Sequence, residues 1–264
     1  MPVTEVNGVE LDWERSGSGP RLLFCNGSGR TLADAQVMLD YLASEFDLLA
    51  WDYRGFGRSG LPTGAYAMAD LAADVEGLLD MSSWDTCRIL GISFGGMVAQ
   101  EFAVTHSERV ERLALVCTSS GGEGGSSFPL QDLLAMPEEA RAAAALKVVD
   151  SRWDDDWFDA HPSDRDVAER FAPRNVSDSA DAAAHRAQLE ARAGHDVWDR
   201  LPAITGPTLV ASGRYDGIAP LENGRAIASR ITGTEFREYE GGHAFLLQDP
   251  SAVRDLMAFL LAAE

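Results

Sequence analysis

Short apolar runs alternate with longer amphipathic stretches along most of the chain. Short runs that end in polar or glycine-containing loops are typical of buried strands. The predicted strands are 9–15, 21–25, 46–51, 88–92, 113–117, 208–211 and 235–239. Helical patterns lie between them, at 34–44, 68–81, 94–105, 221–231 and 251–263. This alternation predicts an α/β fold, in which helices cover both faces of a mostly parallel central sheet.

The alternation breaks between residues 119 and 200. The break opens on a glycine-rich stretch at 121–125, which favours neither a strand nor a helix. Helical patterns then follow, at 138–149 and 178–193. We therefore expect a helical cap (lid) insertion at 119–200, which would lie over the end of a core domain formed by residues 1–118 and 201–264.

The chain is strongly acidic, since its 264 residues include 42 acidic and 22 basic side chains, a formal net charge of -20. A nucleic-acid partner requires clustered positive charge and is therefore not expected. The first residues carry no basic stretch followed by an apolar run, and the longest apolar run, 256–263, is too short to cross a bilayer. These features predict a cytoplasmic protein that acts on a small molecule and has no membrane partner.

The strongest local signal for chemistry is Gly91-Ile92-Ser93-Phe94-Gly95-Gly96, which separates a predicted strand from a predicted helix. A sharp strand-to-helix turn that exposes a serine requires small residues at its flanks, because larger side chains would clash there. The turn also places Ser93 at a helix N-terminus, where backbone amides and the helix dipole favour a developing negative charge. Ser93 is therefore a candidate nucleophile.

This motif and its setting resemble the nucleophile elbow of the α/β-hydrolase fold family, in the branch that uses serine. The resemblance extends over nearly all of the chain outside the expected cap. It implies an acid after a later strand and a histidine after the last one. Asp216 and His243 occupy those positions, in glycine-containing loops after the strands at 208–211 and 235–239. The resemblance thus implies a catalytic triad of Ser93, Asp216 and His243.

Single residues of this set have other interpretations. Aspartate is common in turns, so Asp216 taken alone could simply cap its turn. Four other histidines compete with His243, namely His106, His161, His185 and His195. The first follows the helix after Ser93, the other three lie in the expected cap, and none of the four follows a late strand. The prediction therefore rests on the chain order of the three residues.

The resemblance also implies an oxyanion hole made of two backbone amides. One is the amide of Phe94, the residue after the nucleophile. The other belongs to the loop after the strand at 21–25, where the matching residue is Ser28. This loop begins with Asn26 where most family members have histidine, and 3-oxoadipate enol-lactonases similarly place asparagine there. That likeness points towards lactone or enol-ester substrates.

A second glycine motif, Gly55-Phe56-Gly57-Arg58-Ser59-Gly60, has the form of a dinucleotide-binding fingerprint. A dinucleotide loop must open directly into a helix that holds the pyrophosphate, but residues 61–64 intervene and include a proline and a glycine. The stretch 52–59 instead resembles the D-x-R-G-x-G-x-S loop of α/β-hydrolases. No nucleotide cofactor is expected.

Metal-binding patterns are weak as well. The run Asp154-Asp155-Asp156 lacks the spaced ligands of a calcium loop, and such runs usually form a solvated surface. No zinc-ligand spacing is present. Three cysteines lie in or beside predicted strands and are expected to be reduced and buried; they are Cys25, Cys87 and Cys117. The sequence thus predicts neither a metal nor a cofactor.

The residues and the resemblance together predict a serine hydrolase that cleaves a carboxylic ester or lactone through an acyl-serine intermediate. A hydrolase of carbon–carbon bonds in β-diketone-type acids would use the same triad and is the alternative. A ligand-binding protein on the same fold is a third possibility, although a pure binder has no need of an intact triad. A cationic cap residue such as Arg152 or Arg174 would favour an acidic substrate.

Overall fold

The computed structural model describes residues 3–170 and 179–263. Within these residues eight strands form one sheet, in the order β1-β2-β4-β3-β5-β6-β7-β8. The strands are β1 (Val3–Val6), β2 (Val9–Gly17), β3 (Arg21–Cys25), β4 (Asp47–Trp51), β5 (Cys87–Ile92), β6 (Val110–Val116), β7 (Thr208–Gly213) and β8 (Glu235–Tyr239). β1 and β2 pair antiparallel to their neighbours, and β3 to β8 are parallel. The α/β fold predicted from the sequence is therefore confirmed.

Helices cover both faces of this sheet. The core helices are α1 (Leu32–Ala43), α2 (Met68–Met81), α3 (Phe94–Thr105), α9 (Leu221–Arg230), α10 (Phe245–Gln248) and α11 (Pro250–Leu261). Apolar residues of α1, α10 and α11 pack on one face, and those of α2, α3 and α9 pack on the other. Along β3, Leu22 and Phe24 join the first face while Leu23 and Cys25 join the second. The buried strands are apolar on both faces because both faces are covered.

Five α-helices lie between β6 and β7 in the described part of the chain, and no strand does. They are α4 (Leu130–Leu134), α5 (Glu138–Val149), α6 (Asp155–Ala160), α7 (Pro162–Arg170) and α8 (Ser179–Ala193). Apolar residues of this region, including Trp153 and Phe158, form a third cluster with Ile218 and Ala244 from the core loops. No described helix combines the length and apolar character that crossing a bilayer requires.

The second glycine motif forms a closed structural loop. The Asp52 carboxylate accepts a hydrogen bond from the Leu32 amide at 2.6 Å, and the Ser59 hydroxyl donates to the Asp52 carbonyl at 2.7 Å. Gly57 has a positive φ of 55°, and a Cβ there would lie 1.8 Å from an Asp52 carboxylate oxygen. No helix follows directly, since α2 begins only at Met68. The motif therefore builds a turn and does not have the geometry of a pyrophosphate loop.

A buried ion pair ties this loop to helix α2. The Arg54 guanidinium donates through Nε and Nη2 to the two carboxylate oxygens of Asp74, at 2.6 and 2.5 Å. The Asp74 side chain is fully buried, and the Asn7 amide also donates to it. Each charge is tolerated here because the other neutralises it and hydrogen bonds fill its remaining positions.

Replacing Asp74 with asparagine is expected to lower the free energy of unfolding by about 3–5 kcal/mol, because the buried Arg54 guanidinium loses its counter-charge. The double variant Arg54→Met/Asp74→Leu removes both charges and should lose less. Asp159→Asn breaks the exposed pair with Arg165 and should cost less than about 1 kcal/mol. Urea unfolding followed by circular dichroism measures all three variants. An Asp74→Asn protein as stable as the wild type would contradict this role for the pair.

Candidate active site

Ser93 occupies a strained turn between β5 and α3. Its backbone has φ 56° and ψ -116°, a conformation that residues with a side chain rarely adopt. Two hydrogen bonds to the end of β6 fix the Ser93 backbone. The Ser93 amide donates to the Val116 carbonyl at 2.8 Å, and the Thr118 hydroxyl donates to the Ser93 carbonyl at 2.8 Å. The surrounding structure therefore fixes the direction of the Ser93 side chain.

The glycines around Ser93 permit the close approach of α3 to the sheet. A Cβ at Gly95 would lie 2.0 Å from the Cys25 carbonyl oxygen, at the end of β3. A Cβ at Gly91 would lie 2.5 Å from the Gly95 carbonyl oxygen, and one at Gly96 would lie 2.6 Å from the Thr118 Cβ. Real side chains do not make such contacts, so this packing requires glycine at all three positions.

The structure brings Ser93, Asp216 and His243 together. The His243 Nε2 lies 2.9 Å from the Ser93 Oγ, and its Nδ1 lies 2.8 Å from the Asp216 Oδ2. The other Asp216 oxygen, Oδ1, accepts the backbone amides of Ile218 and Ala219, each at 2.8 Å. Asp216 thus caps its own turn with one carboxylate oxygen and contacts His243 with the other. The two interpretations of Asp216 from the sequence are therefore compatible.

The other four histidines lie away from this group. The ring of His106 packs on Phe102, that of His161 on Trp157 and that of His185 on Phe56. His195 lines a cavity together with Met97. His243 is therefore the described histidine that meets Ser93.

The His243 imidazole and the Asp216 carboxylate are both buried, so each strongly affects the charge of the other. The side chains of His243 and Asp216 are 8% and 0% exposed. Burial of the imidazole disfavours its protonation and is the largest single effect on its pKa, but Asp216 and Cys117 together outweigh it. The net effect raises the pKa of His243 to about 10. The site therefore stabilises positive charge on this imidazole.

Cys117 lies against the same pair, which the sequence did not indicate. It follows β6 with a positive φ of 43°, and its side chain is buried. Its sulfur, an Asp216 carboxylate oxygen and a His243 ring nitrogen lie within 4.8 Å of one another. All three cysteines are free and buried in the structure, as predicted from their positions in or beside apolar strands.

The acidic run Asp154-Asp155-Asp156 has a structural role, since Asp154 caps α6 and pairs with Lys147 at 2.9 Å.

The loop after β3 lies beside Ser93, since a Cβ at Gly27 would lie 3.9 Å from the Ser93 Cβ. Asn26 shapes it, because its side chain accepts the Gly27 amide at 2.8 Å and donates to the Thr31 carbonyl at 3.2 Å. In the described structure, the backbone amides of Ser28 and Phe94 have no hydrogen-bond partner. Phe94 is the first residue of α3, whose leading amides have no acceptor within the helix. Asparagine at position 26 therefore preserves the loop and leaves these amides free.

Arg152, one of the two arginines considered for an acidic substrate, is already engaged by neighbouring side chains. Arg152 donates to both oxygens of Asp150, at 2.9 and 2.6 Å, and lies over the rings of Trp157 and Tyr215. Its charge is already neutralised. Arg174 lies outside the described residues.

Comparison with known proteins places this geometry in a family. The family model described as "alpha/beta hydrolase fold" matches residues 20–250. The chain belongs to the α/β-hydrolase fold family. The elbow, the two late loops and the parallel sheet described above are all included in the matched region. The resemblance inferred from the sequence is therefore confirmed.

Individual members of the family resemble the chain over nearly its whole length. The 3-oxoadipate enol-lactonase 2 of Acinetobacter baylyi is 26% identical over 92% of this chain and 90% of its own. A poly(3-hydroxyalkanoate) depolymerase of Ectopseudomonas oleovorans is 27% identical over 92% of this chain and 84% of its own. The crystal structure of the enol-lactonase from Burkholderia xenovorans superposes with a TM-score of 0.80 at 26% identity, covering 99% of this chain and all of that one. These likenesses support a hydrolase on this fold.

The raised pKa of His243 makes stability depend on pH. Protonation of His243 stabilises the fold fully below about pH 6.5, the ordinary histidine pKa, and this contribution is lost as the pH rises towards 10. In Asp216→Asn the contributions of the carboxylate are lost, while burial, the largest single effect, and Cys117 remain, so the pKa of His243 should fall. The stability gap between wild type and Asp216→Asn should therefore be largest near pH 6 and shrink towards pH 10.

Urea unfolding at several pH values between 6 and 10 measures this gap. The exposed variant Asp159→Asn serves as the control and should show a constant gap. A gap for Asp216→Asn that does not change with pH would contradict the proposed coupling between the two side chains.

Proposed function

We propose that this protein is a serine hydrolase that cleaves carboxylic esters or lactones through an acyl-serine intermediate. Ser93 is the nucleophile, His243 is the general base and then the general acid, and Asp216 orients the imidazole. One observation carries the proposal. The His243 Nε2 lies 2.9 Å from the Ser93 hydroxyl oxygen, and its Nδ1 lies 2.8 Å from an Asp216 carboxylate oxygen. A serine hydroxyl is a weak nucleophile until a base in this position removes its proton.

The first half-reaction forms the acyl-enzyme. With its Nδ1–H directed to Asp216, neutral His243 has a lone pair on Nε2 that accepts the Ser93 proton. The Ser93 oxygen bonds to the substrate carbonyl carbon, and the carbonyl π electrons move to oxygen. When this tetrahedral intermediate collapses, the bond to the leaving oxygen breaks and the Nε2 proton passes to that oxygen. For a lactone, the released hydroxyl stays attached to the acyl group.

The second half-reaction repeats these steps with water. His243 removes a proton from water, whose oxygen attacks the acyl-serine carbonyl, and the Nε2 proton then returns to Ser93 as the acid leaves. During both halves the imidazole becomes positively charged, and the Asp216 carboxylate stabilises that charge. The raised pKa of His243 implies that the neutral base becomes more abundant, and turnover faster, as the pH rises towards 10.

The negative charge on the substrate oxygen also requires stabilisation. We assign this role to the backbone amides of Phe94 and Ser28, which have no hydrogen-bond partner among the described residues. The Phe94 amide begins α3, so the dipole of that helix favours an anion at the same place. A donor of this kind contributes about 3–4 kcal/mol to the transition state in enzymes where one has been removed.

Residues 119–200 are proposed to form a cap that closes over these groups and selects the substrate. Two contacts support this assignment. The Gln188 side chain on α8 accepts the Gly29 amide at 2.8 Å, beside the proposed oxyanion hole. The His243 amide donates to the Val149 carbonyl at the end of α5. The expected cap thus touches both the oxyanion loop and the histidine loop, where a substrate would enter.

Ser93→Ala should lower kcat for short p-nitrophenyl esters by about 10⁶-fold, because the nucleophile is lost while the other groups remain. Ser229→Ala removes an exposed hydroxyl on α9 and should retain the wild-type rate. Release of p-nitrophenol measures both. Equal rates for wild type and Ser93→Ala would contradict the proposed mechanism and leave carbon–carbon cleavage or ligand binding to be examined.

A further inference from the structure

A partly open cavity of about 270 Å³ lies between α3, the loop after β6 and the end of α8. Its lining includes Met97, Ser119, Gln131, Arg192 and His195, and none of the lining residues that the structure describes is acidic. No sequence motif marks this cavity, and the proposed triad does not use it.

Arg192 is an unusual buried cation within this lining. The residue is 6% exposed, and its Nη1 donates to the Phe128 carbonyl at 2.8 Å. Its Nε and Nη2 are buried and have no hydrogen-bond partner among residues 3–170 and 179–263. Burial lowers the pKa of Arg192 to about 10, so the guanidinium remains charged at neutral pH. A buried charge without a partner is costly, and natural proteins normally pair such groups.

The unpartnered edge of Arg192 has the shape that recognises a carboxylate, and because both of its nitrogens are buried, a ligand in the cavity reaches them only if the side chain shifts. Its unpartnered Nε and Nη2 are the same two nitrogens through which Arg54 holds both oxygens of Asp74. Parallel hydrogen bonds from this edge match the two oxygens of a carboxylate. Burial lowers the pKa of His195 to about 4, so its ring is neutral at pH 7 and adds an N–H donor to the lining. No described side chain supplies the negative charge that this edge fits.

The cavity begins close to the proposed nucleophile. Met97 lies one helical turn after Ser93 on α3, about 6 Å along the helix axis. Ser119 follows Thr118, whose hydroxyl holds the Ser93 carbonyl at 2.8 Å. Two of the lining residues therefore belong to the segments that position Ser93.

We propose that Arg192 binds a carboxylate of the substrate, so that the preferred substrates are esters or lactones that carry a free carboxylate near the reactive carbonyl. This inference rests on the proposed function and adds the chemical class of its substrate. It also assigns the role once expected of Arg152, which is already paired with Asp150. The partner of the buried guanidinium is then the substrate.

Matched substrates test the proposal. Mono-p-nitrophenyl esters of succinic, glutaric and adipic acid carry the carboxylate, and p-nitrophenyl esters of unbranched monocarboxylic acids of the same lengths lack it. At the best chain length the wild type should prefer the acidic ester in kcat/KM by about tenfold or more, since hydrogen bonds between charged groups are lost without the carboxylate. Arg192→Met should lose about 10- to 100-fold on the acidic ester, mainly through KM, and change less than about threefold on the neutral one.

Two further variants separate recognition from folding. Arg192→Lys keeps the charge and should retain part of the preference, while Arg165→Met removes an exposed arginine and should retain all of it. Thermal unfolding of Arg192→Met should show equal or higher stability, because an unpaired buried charge is removed. If Arg192→Met does not fold, Arg192→Lys decides: a weakened preference supports the proposal, and an unchanged preference overturns it.

Other results would overturn the proposal. A wild type that prefers neutral esters at every length would do so, as would an Arg192→Met variant that loses the same factor on both substrates. If the wild type hydrolyses none of these esters, the proposed function fails, and calorimetric titration with glutarate then tests Arg192 separately. Glutarate binding that disappears in Arg192→Met supports the carboxylate site, and absent or unchanged binding overturns it.

Discussion

The close approach of α3 to the carboxyl ends of β3 and β6 is the constraint on which the site depends. At Gly95 the helix comes so near β3 that an added Cβ would lie 2.0 Å from the Cys25 carbonyl oxygen. This contact forces a sharp turn at Ser93, whose positive φ stores strain that Val116 and Thr118 hold in place. The serine hydroxyl then faces the loops that follow the later strands. Without glycine at these positions the helix would move away and the turn would relax.

The parallel sheet supplies the remaining groups at the same edge. Because β3 to β8 are parallel, their carboxyl ends and the loops that follow them gather on one side. Asp216 follows β7 and His243 follows β8, and each is held by backbone hydrogen bonds as well as by its partner. The chain is strongly acidic, yet the buried Arg192 near this edge has no acidic partner among the described residues. Such a cation favours an acidic ligand only where the ligand can reach it.

Much of the fold and of the site geometry followed from local patterns. The predicted ranges 21–25, 68–81 and 94–105 coincide with β3, α2 and α3, because their apolar periodicity agrees with their burial. Strand β1 was not predicted, since four residues at a sheet edge give little periodic signal. The contacts among Ser93, Asp216 and His243 were expected because each residue follows a predicted strand. In a parallel sheet the loops that follow the strands lie at the same edge.

The residues that surround this group could not be predicted in the same way. Arg152 and Arg192 look alike in sequence, and only the folded chain shows that one meets Asp150 while the other has no described acidic partner. Cys117 reads as an apolar strand residue, and its position beside His243 depends on the turn after β6. Ion pairing and distant packing decide such roles, and neither has a local periodic signature.

Covalent labelling with a fluorophosphonate, followed by peptide mass spectrometry, tests the central claim most directly. The reagent phosphonylates a serine only when a neighbouring base activates its hydroxyl. We expect a single adduct on Ser93 in the wild type, and no adduct in His243→Ala, where the 2.9 Å contact to Ser93 is lost. An unlabelled wild type, or an adduct at another residue, would contradict a serine hydrolase built on Ser93.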